Sequence, residues 1–431
     1  MALILKNIST LVTCKGSYGK TKEEMKEAGI INNGYIVIDN GLIQEVGNDN
    51  GYLKYINDDS ESIDCEGKTV TPGLIDCHTH VVYSGSRESE LKLKLNNKSY
   101  IDILNSGGGI LSTVRNTRQS TVNELIAESS KRLNTMLLHG TTTIESKSGY
   151  GLNLIDEAKI LEVNKVLDKE HPIDIISTYL GAHAIPKEYK DNREKYIEEI
   201  IKEHIPYVVE NDLAEYIDVF CEEGVFTVEE SRAILEAGIN KGLKVKLHGD
   251  EIASIGGGEL AGELKATSAE HLVAISDDGI KALSQNNVIA VLLPSTSFYL
   301  MLNHYADARR MINKGVKIAL STDCNPGTSP NESLQFTMTL ACYGMKLLPE
   351  EIINAVTINA ACAINRENEI GSIEIGKKAD LTIFNSKSLD YLIYHIGDNA
   401  VDKVIKNGKI VVRDGKLNFK GGMNKCSKIE K

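Results

Sequence analysis

Between about residue 70 and residue 365, short runs of apolar and β-branched residues alternate with longer segments whose apolar positions recur at helical spacing. Eight such runs stand at 73–77, 141–145, 174–180, 216–220, 244–247, 267–270, 288–293 and 317–320. Near-continuous apolar strands separated by helices mark parallel strands buried on both faces. Eight strand-helix units close naturally into a barrel, so the pattern predicts an α/β protein with a (β/α)8 TIM-type barrel over 70–366.

The flanks are patterned differently. Residues 3–9 and 34–46 at one end, and 380–384 and 404–412 at the other, read as short strands with turn signals such as Asn407-Gly408 and Asp414-Gly415. They are expected to pair into a small β-sandwich domain built from both termini, residues 1–69 and 367–431, with 371–378 as the re-entry turn. The segment 16–29 is charged and helix-compatible but suggests no function, and the last dozen residues, rich in Lys, Gly and Asn, are expected to fray.

Composition narrows the classes of function. A chain of 431 residues with 42% hydrophobic residues can bury one large core and a smaller one. The formal charge of -12 comes from 60 acidic against 48 basic residues, and the basic ones are dispersed, which argues against nucleic acid as a partner. There is no apolar stretch of membrane-span length, and Met1-Ala2-Leu3-Ile4-Leu5-Lys6 lacks the pattern of a signal peptide, so a cytoplasmic protein acting on a small molecule is expected. The 8 cysteines are scattered without a C-x-x-C pair, as expected of reduced thiols. Oligomeric state is not legible, and a homodimer is left open.

The chemistry concentrates where the predicted strands end. Thr71-Pro72-Gly73-Leu74-Ile75-Asp76-Cys77-His78-Thr79-His80 places two imidazoles on one face of the first barrel strand. Catalytic groups of such barrels sit at the C-terminal ends of the strands. There strand five ends in His248-Gly249-Asp250-Glu251, strand six in Glu270-His271, and strand eight in Ser321-Thr322-Asp323-Cys324-Asn325. His78, His80, His248 and Asp323 together would hold one divalent ion, zinc or iron, with a position left for water. Such an ion makes hydroxide available near neutral pH, so the site reads as hydrolytic. Asp323 would also aim the nucleophile, and Glu251 would shuttle a proton to a departing nitrogen. His271 would hold the water or polarise a carbonyl, or else is a packed core histidine.

Several motifs carry a family resemblance: the opening run, Leu247-His248-Gly249-Asp250-Glu251, Ser321 to Thr328, Gly85-Ser86-Arg87-Glu88, Ser106 to Ile110, Glu145 to Gly151, and Leu180 to His183. Together they resemble the amidohydrolase superfamily and, within it, the imidazolonepropionase family, over nearly the whole chain. The resemblance implies hydrolytic opening of 4-imidazolone-5-propanoate to N-formimino-L-glutamate, the third step of histidine breakdown, by attack of metal-bound hydroxide on the ring carbonyl. That substrate has a propionate tail, for which Arg87 is the natural anchor and Tyr150 a phenolic partner. Arg87 in a structural ion pair and Tyr150 as a packing residue are the competing readings. By resemblance His183, Asn325, Gly327 and Thr328 also contact substrate or product, beside Glu251.

Two alternatives stay open. Another ring-opening or deaminating amidohydrolase would share the barrel, although strand four, Tyr216 to Glu223, lacks the bridging lysine of two-metal members. A metal-free scaffold would share the fold without the chemistry.

Overall fold

The computed structural model describes residues 2–16, 18–96 and 108–419. The N-terminal strands are β1 (Leu3–Val12), β2 (Ile30–Asp39), β3 (Leu42–Asn48), β4 (Glu61–Asp64) and β5 (Thr69–Pro72). The eight apolar runs are all strands: β6 (Leu74–Thr79), β7 (Thr141–Lys147), β8 (Asp174–Ala182), β9 (Tyr216–Cys221), β10 (Lys244–Gly249), β11 (Ser268–His271), β12 (Ile289–Leu292) and β13 (Lys317–Leu320). Near the C-terminus follow β14 (Leu381–Phe384), β15 (Val401–Lys406), β16 (Lys409–Arg413) and β17 (Lys416–Leu417).

Strands β6 to β13 lie parallel and in sequence order, as expected of a barrel. Several run past their apolar stretches at the C-terminal end: His248 and Gly249 of β10 still pair with Phe220 and Cys221 on one side and Glu270 and His271 on the other. Polar residues that read as strand ends are strand residues, because their side chains are buried and bonded within the barrel rather than exposed to water.

Both termini contribute to one nine-stranded sheet, in which β5 pairs antiparallel with β14 and so joins the two ends of the chain. Its own core includes Leu5, Ile8, Leu11, Ile36, Val70 and Ile383. The stretch expected as 34–46 is two strands, turned at Asn40-Gly41 with φ of 50° and 80°, and Asn407-Gly408 repeats the device at 47° and 73°. Positive φ at both central residues is what a tight hairpin matching strand twist requires. Gly73 joins this sheet to the barrel where a Cβ would meet Thr142 Oγ1 at 2.2 Å, so only glycine lets β5 run directly into β6. The described residues of the unexplained segment 16–29, from 18 onward, form a strap: Met25 is buried, and Asn359 bonds Lys20 N at 2.6 Å and Ile318 O at 2.7 Å. The expected frayed tail from Lys420 onward, like Ser106 and Gly107, lies outside the described residues.

The seam between β6 and the last barrel strand is closed by few backbone bonds. Ile75 N donates to Val356 O at 2.9 Å low in the seam; higher up Asp323 N donates to His78 O at 3.1 Å and His80 N to Cys324 O at 2.9 Å. The buried Asp76 carboxylate stitches the two sides, accepting from Thr322 N at 2.9 Å, Thr322 Oγ1 at 2.7 Å and Ser321 Oγ. Asp76→Ala leaves these buried donors unpaired, and metal-free protein carrying it is expected to lose about 2–4 kcal/mol in chemical denaturation. A loss below roughly 0.5 kcal/mol would mean that the seam closes without the carboxylate.

Candidate metal centre

The C-terminal ends of β6, β10 and β11 and the turn after β13 converge on one buried point. Ring nitrogens of His78, His248 and His271 lie within 4.8 Å of one another, as do those of His78 and His80 with a carboxylate oxygen of Asp323. Asp323 Oδ1 is 3.3 Å from His78 Nε2 and 3.6 Å from His80 Nε2. Asp323 reaches this position from a left-handed backbone, φ 54°, and His271 from φ 68°, conformations uncommon for residues with a Cβ and held here by surrounding bonds.

The second nitrogen of two of these imidazoles is fixed from behind. His78 Nδ1 donates to Glu270 Oε2 at 2.5 Å, and His248 Nδ1 donates to both oxygens of Asp218 at 3.0 Å. A carboxylate only accepts, so each ring carries a proton on Nδ1 and, in its neutral form, turns a lone pair out through Nε2. Both Nε2 atoms are buried and have no hydrogen-bond partner among the described residues. Buried polar atoms are rarely left unpaired, and lone pairs of this kind beside a carboxylate fit a divalent cation with nitrogen and oxygen ligands.

Behind the imidazoles lies a layer of buried charge. Lys147 Nζ meets Asp218 Oδ2 at 2.8 Å and Glu145 Oε1 at 2.9 Å, and Lys246 Nζ bonds Ser268 Oγ at 2.9 Å and Ala363 O at 2.8 Å. Burial disfavours the Lys147 charge, but Asp218 and Glu145 outweigh it and hold its pKa above the usual lysine value. Burial opposes charge on His248 too, and the charge and hydrogen bond of Asp218 outweigh it and raise its pKa. Burial drives His78, His80 and His271 far below the ordinary histidine value, so all three are neutral.

Glu251 faces the same space, its Oε1 3.6 Å from His271 Nδ1. Its backbone is held by Glu222, which accepts from the N–H groups of Glu251 and Ile252 at 2.9 Å and Ala253 at 3.1 Å. Burial first, and the charge of Asp323 second, push the Glu251 carboxyl up to about 8; burial likewise raises Asp323 to about 7. Thr296 Oγ1 donates to Asp323 Oδ2 at 2.6 Å, leaving Oδ1 to face the imidazoles.

The residues singled out as substrate contacts surround this point. His183 stacks on His80 with ring centres 5.2 Å apart, and Tyr150, buried, lies 5.7 Å from His80. Asn325 spends its side chain inside its own loop, accepting from Gly327 N and Thr328 N at 2.8 Å and donating to Asp323 O at 2.7 Å. Arg87 is paired with Glu90 through Nε and Nη2, at 2.9 and 2.8 Å, the ion pair that competed with the anchor reading, and its Nη1 lies against Gly327.

Sequence reasoning missed Asp218, Glu270, Lys147, Glu222 and Asp76. A signal was present: Asp218 and Glu270 are acids inside otherwise apolar strands, where a charge is costly unless paired. If Asp218 fixes the His248 tautomer, Asp218→Ala is expected to weaken metal affinity roughly 10- to 100-fold in chelator competition with the fold intact. Unchanged affinity would show that packing alone orients the ring.

Residues 69–411 match the model of the amidohydrolase family. The chain is 52% identical to an imidazolonepropionase of Alkaliphilus metalliredigens over 96% of its own length and 99% of that protein's. It is 54% identical to an imidazolonepropionase of Treponema denticola over 90% of this chain and 94% of that one. A solved adenosine deaminase from Xanthomonas campestris, with bound zinc in that protein, shares the fold with a TM-score of 0.69 at 16% identity, over 99% of this chain and 96% of that one. The chain therefore belongs to the amidohydrolase family, within the group whose curated members are imidazolonepropionases.

Proposed function

We propose that this enzyme hydrolyses 4-imidazolone-5-propanoate to N-formimino-L-glutamate in histidine breakdown, using one zinc or iron ion held by His78, His80, His248 and Asp323. The observation that carries this reading is the pair of buried Nε2 atoms on His78 and His248, that of His78 beside Asp323, together with a nearly buried acid, Glu251, that is not needed as a ligand. When bound, the ion polarises a carbonyl and makes water nucleophilic at neutral pH.

The chain's residues do the rest. Asp323 and His271 hold the attacking water against the ring carbonyl. Glu251 takes a proton from that water and delivers it to the ring nitrogen as the C–N bond breaks, so the carbonyl carbon leaves as the new carboxylate. His183 and Tyr150 flank the ring, and Arg87 faces the propionate, while Asn325, Gly327 and Thr328 shape the loop that brings backbone close to the substrate. The barrel, 70–366, is the catalytic unit and the composite of 1–69 and 367–431 its support. Among the described residues no helix is long and apolar enough to cross a membrane, and we place the enzyme in the cytoplasm with a small molecule as its substrate.

Adding the protein to imidazolonepropionate should make the substrate's ultraviolet absorbance fall; steady absorbance with metal-loaded protein rules the reading out. Elemental analysis is expected to find about one transition-metal ion per chain, and two tightly held ions would contradict the single ligand set. Glu251→Gln should keep its metal and its substrate affinity yet lose roughly 10²–10⁴ in kcat, whereas metal loss in this variant would make Glu251 a ligand.

A further inference from the structure

The corner around Arg87 holds a cation that the proposed mechanism does not use. Arg87 gives Nε and Nη2 to the two oxygens of Glu90, and Glu90 accepts further from Gly109 N at 2.7 Å. Arg87 and Glu90 therefore neutralise one another, and alone they attract an anion weakly. One guanidinium edge stays free of Glu90: Nη1 lies against Gly327, where a Cβ would meet it at 2.0 Å. The short helix Leu91–Leu95 brings Lys94 to the same glycine, its Nζ donating to Gly327 O at 2.9 Å and lying 4.6 Å from the centre of the Tyr299 ring.

Among the described residues no carboxylate pairs with Lys94, and the two oxygens of Glu90 are taken. The group of Arg87, Glu90 and Lys94 thus carries one uncompensated positive charge. Its two anchor points are those of the metal centre: Gly327 follows Asp323 on the loop after β13, and Tyr299 ends the helix Pro294–Tyr299 that carries Thr296, the hydrogen-bond donor to Asp323. An ammonium has three donors, and Lys94 spends one on a carbonyl.

We propose that Lys94 is a specificity-determining residue that, with the free edge of Arg87, forms a two-cation seat for the carboxylate of the substrate's tail. The inference rests on the proposed function for the identity of that substrate, a five-membered nitrogen ring bearing an anionic side chain. Lys94 supplies the net charge that the neutralised Arg87–Glu90 pair lacks, and Arg87 supplies geometry. Burial, and then the neighbouring guanidinium, disfavour the Lys94 charge, and an arriving carboxylate relieves both. The competing role, a tether for the Gly327 loop, makes no distinction between charged and neutral ligands.

The test uses metal-loaded full-length enzyme and two competitive inhibitors, 3-(imidazol-4-yl)propanoate and 4-methylimidazole. Lys94→Met is expected to raise KM for imidazolonepropionate and weaken inhibition by the propanoate by a similar factor, roughly five- to thirtyfold for a half-exposed charge-assisted contact. Inhibition by 4-methylimidazole should not change. Lys94→Arg should restore most of the preference, and Arg87→Met should lose at least as much as Lys94→Met. Equal weakening of both inhibitors in Lys94→Met would leave only the tether and overturn the proposal, as would no change in either. A wild type that binds the two inhibitors selectively but does not hydrolyse imidazolonepropionate would remove the proposed reaction while supporting the anion seat.

Discussion

The bond on which the site most depends is the stitch between Asp76 and the Ser321-Thr322 turn. A barrel of eight parallel strands has one seam where first and last strands must meet, and here ladder bonds between β6 and β13 give way to side chains and a few backbone contacts. Two proposed ligands sit on one side of that seam, His78 and His80, and a third, Asp323, on the other. His78 O accepts from Asp323 N, so the bond that closes the fold also sets the distance between the imidazole and the carboxylate proposed to share an ion. Fold closure and site geometry are one constraint, and the left-handed backbone of Asp323 is tolerated because both of its neighbours in the turn are fixed.

Charge explains why the interior under the site is polar. Glu145, Asp218, Glu270, Asp323 and Glu251 are buried or nearly so, and the cations among them are Lys147 and Lys246. Isolated, such acids would be protonated rather than charged. His248 first and Lys147 second hold the Asp218 carboxyl well below the usual carboxylate range against the cost of burial, and an ionised Asp218 keeps His248 oriented with its Nε2 outward. Among the described residues Asp323 and Glu251 have no lysine partner of their own, and burial, joined at Glu251 by the charge of Asp323, raises the pKa of both; a divalent cation in the proposed site would offset that cost. A hydrophobic floor of the same volume would fill the barrel equally well but leave the imidazoles free to turn.

The barrel was legible because its strands are buried on both faces, which concentrates apolar residues into runs that stand out from amphipathic helices. The convergence of these side chains was legible because His78 and His80 follow a strand's alternation and His248, His271 and Asp323 recur at corresponding ends. The hairpin within 34–46 was less so, since Asn40-Gly41 lies among residues patterned alike on both sides. Asp218 was read only for the lysine its strand lacks, and Glu270 only as a neighbour of His271. Their partners, His248 and His78, come from strands 30 and 192 residues away in sequence, and no local period encodes such a pairing. Arg87 was identified as a cation at the rim, but its engagement by Glu90 three residues on depends on the turn between them, which leaves no periodic trace.

Floor and rim divide the work in a way that follows from their construction. Groups that must be placed to within tenths of an ångström, the imidazoles and Asp323, lie on or directly after strands; buried carboxylates brace His78 and His248, Thr296 braces Asp323, and in the proposed mechanism these groups contribute to interactions realised as the C–N bond breaks. The tail carboxylate does not change during the reaction. A cation that holds it stabilises substrate and transition state alike, which governs KM and the choice among substrates rather than the rate of the bound complex. Such a contact tolerates the softer geometry of a short helix and a glycine loop, and Arg87 and Lys94 are found there. A fold shared by enzymes with different ring substrates can thus keep its floor and alter its rim, because the rim residues make no bond on which closure of the barrel depends.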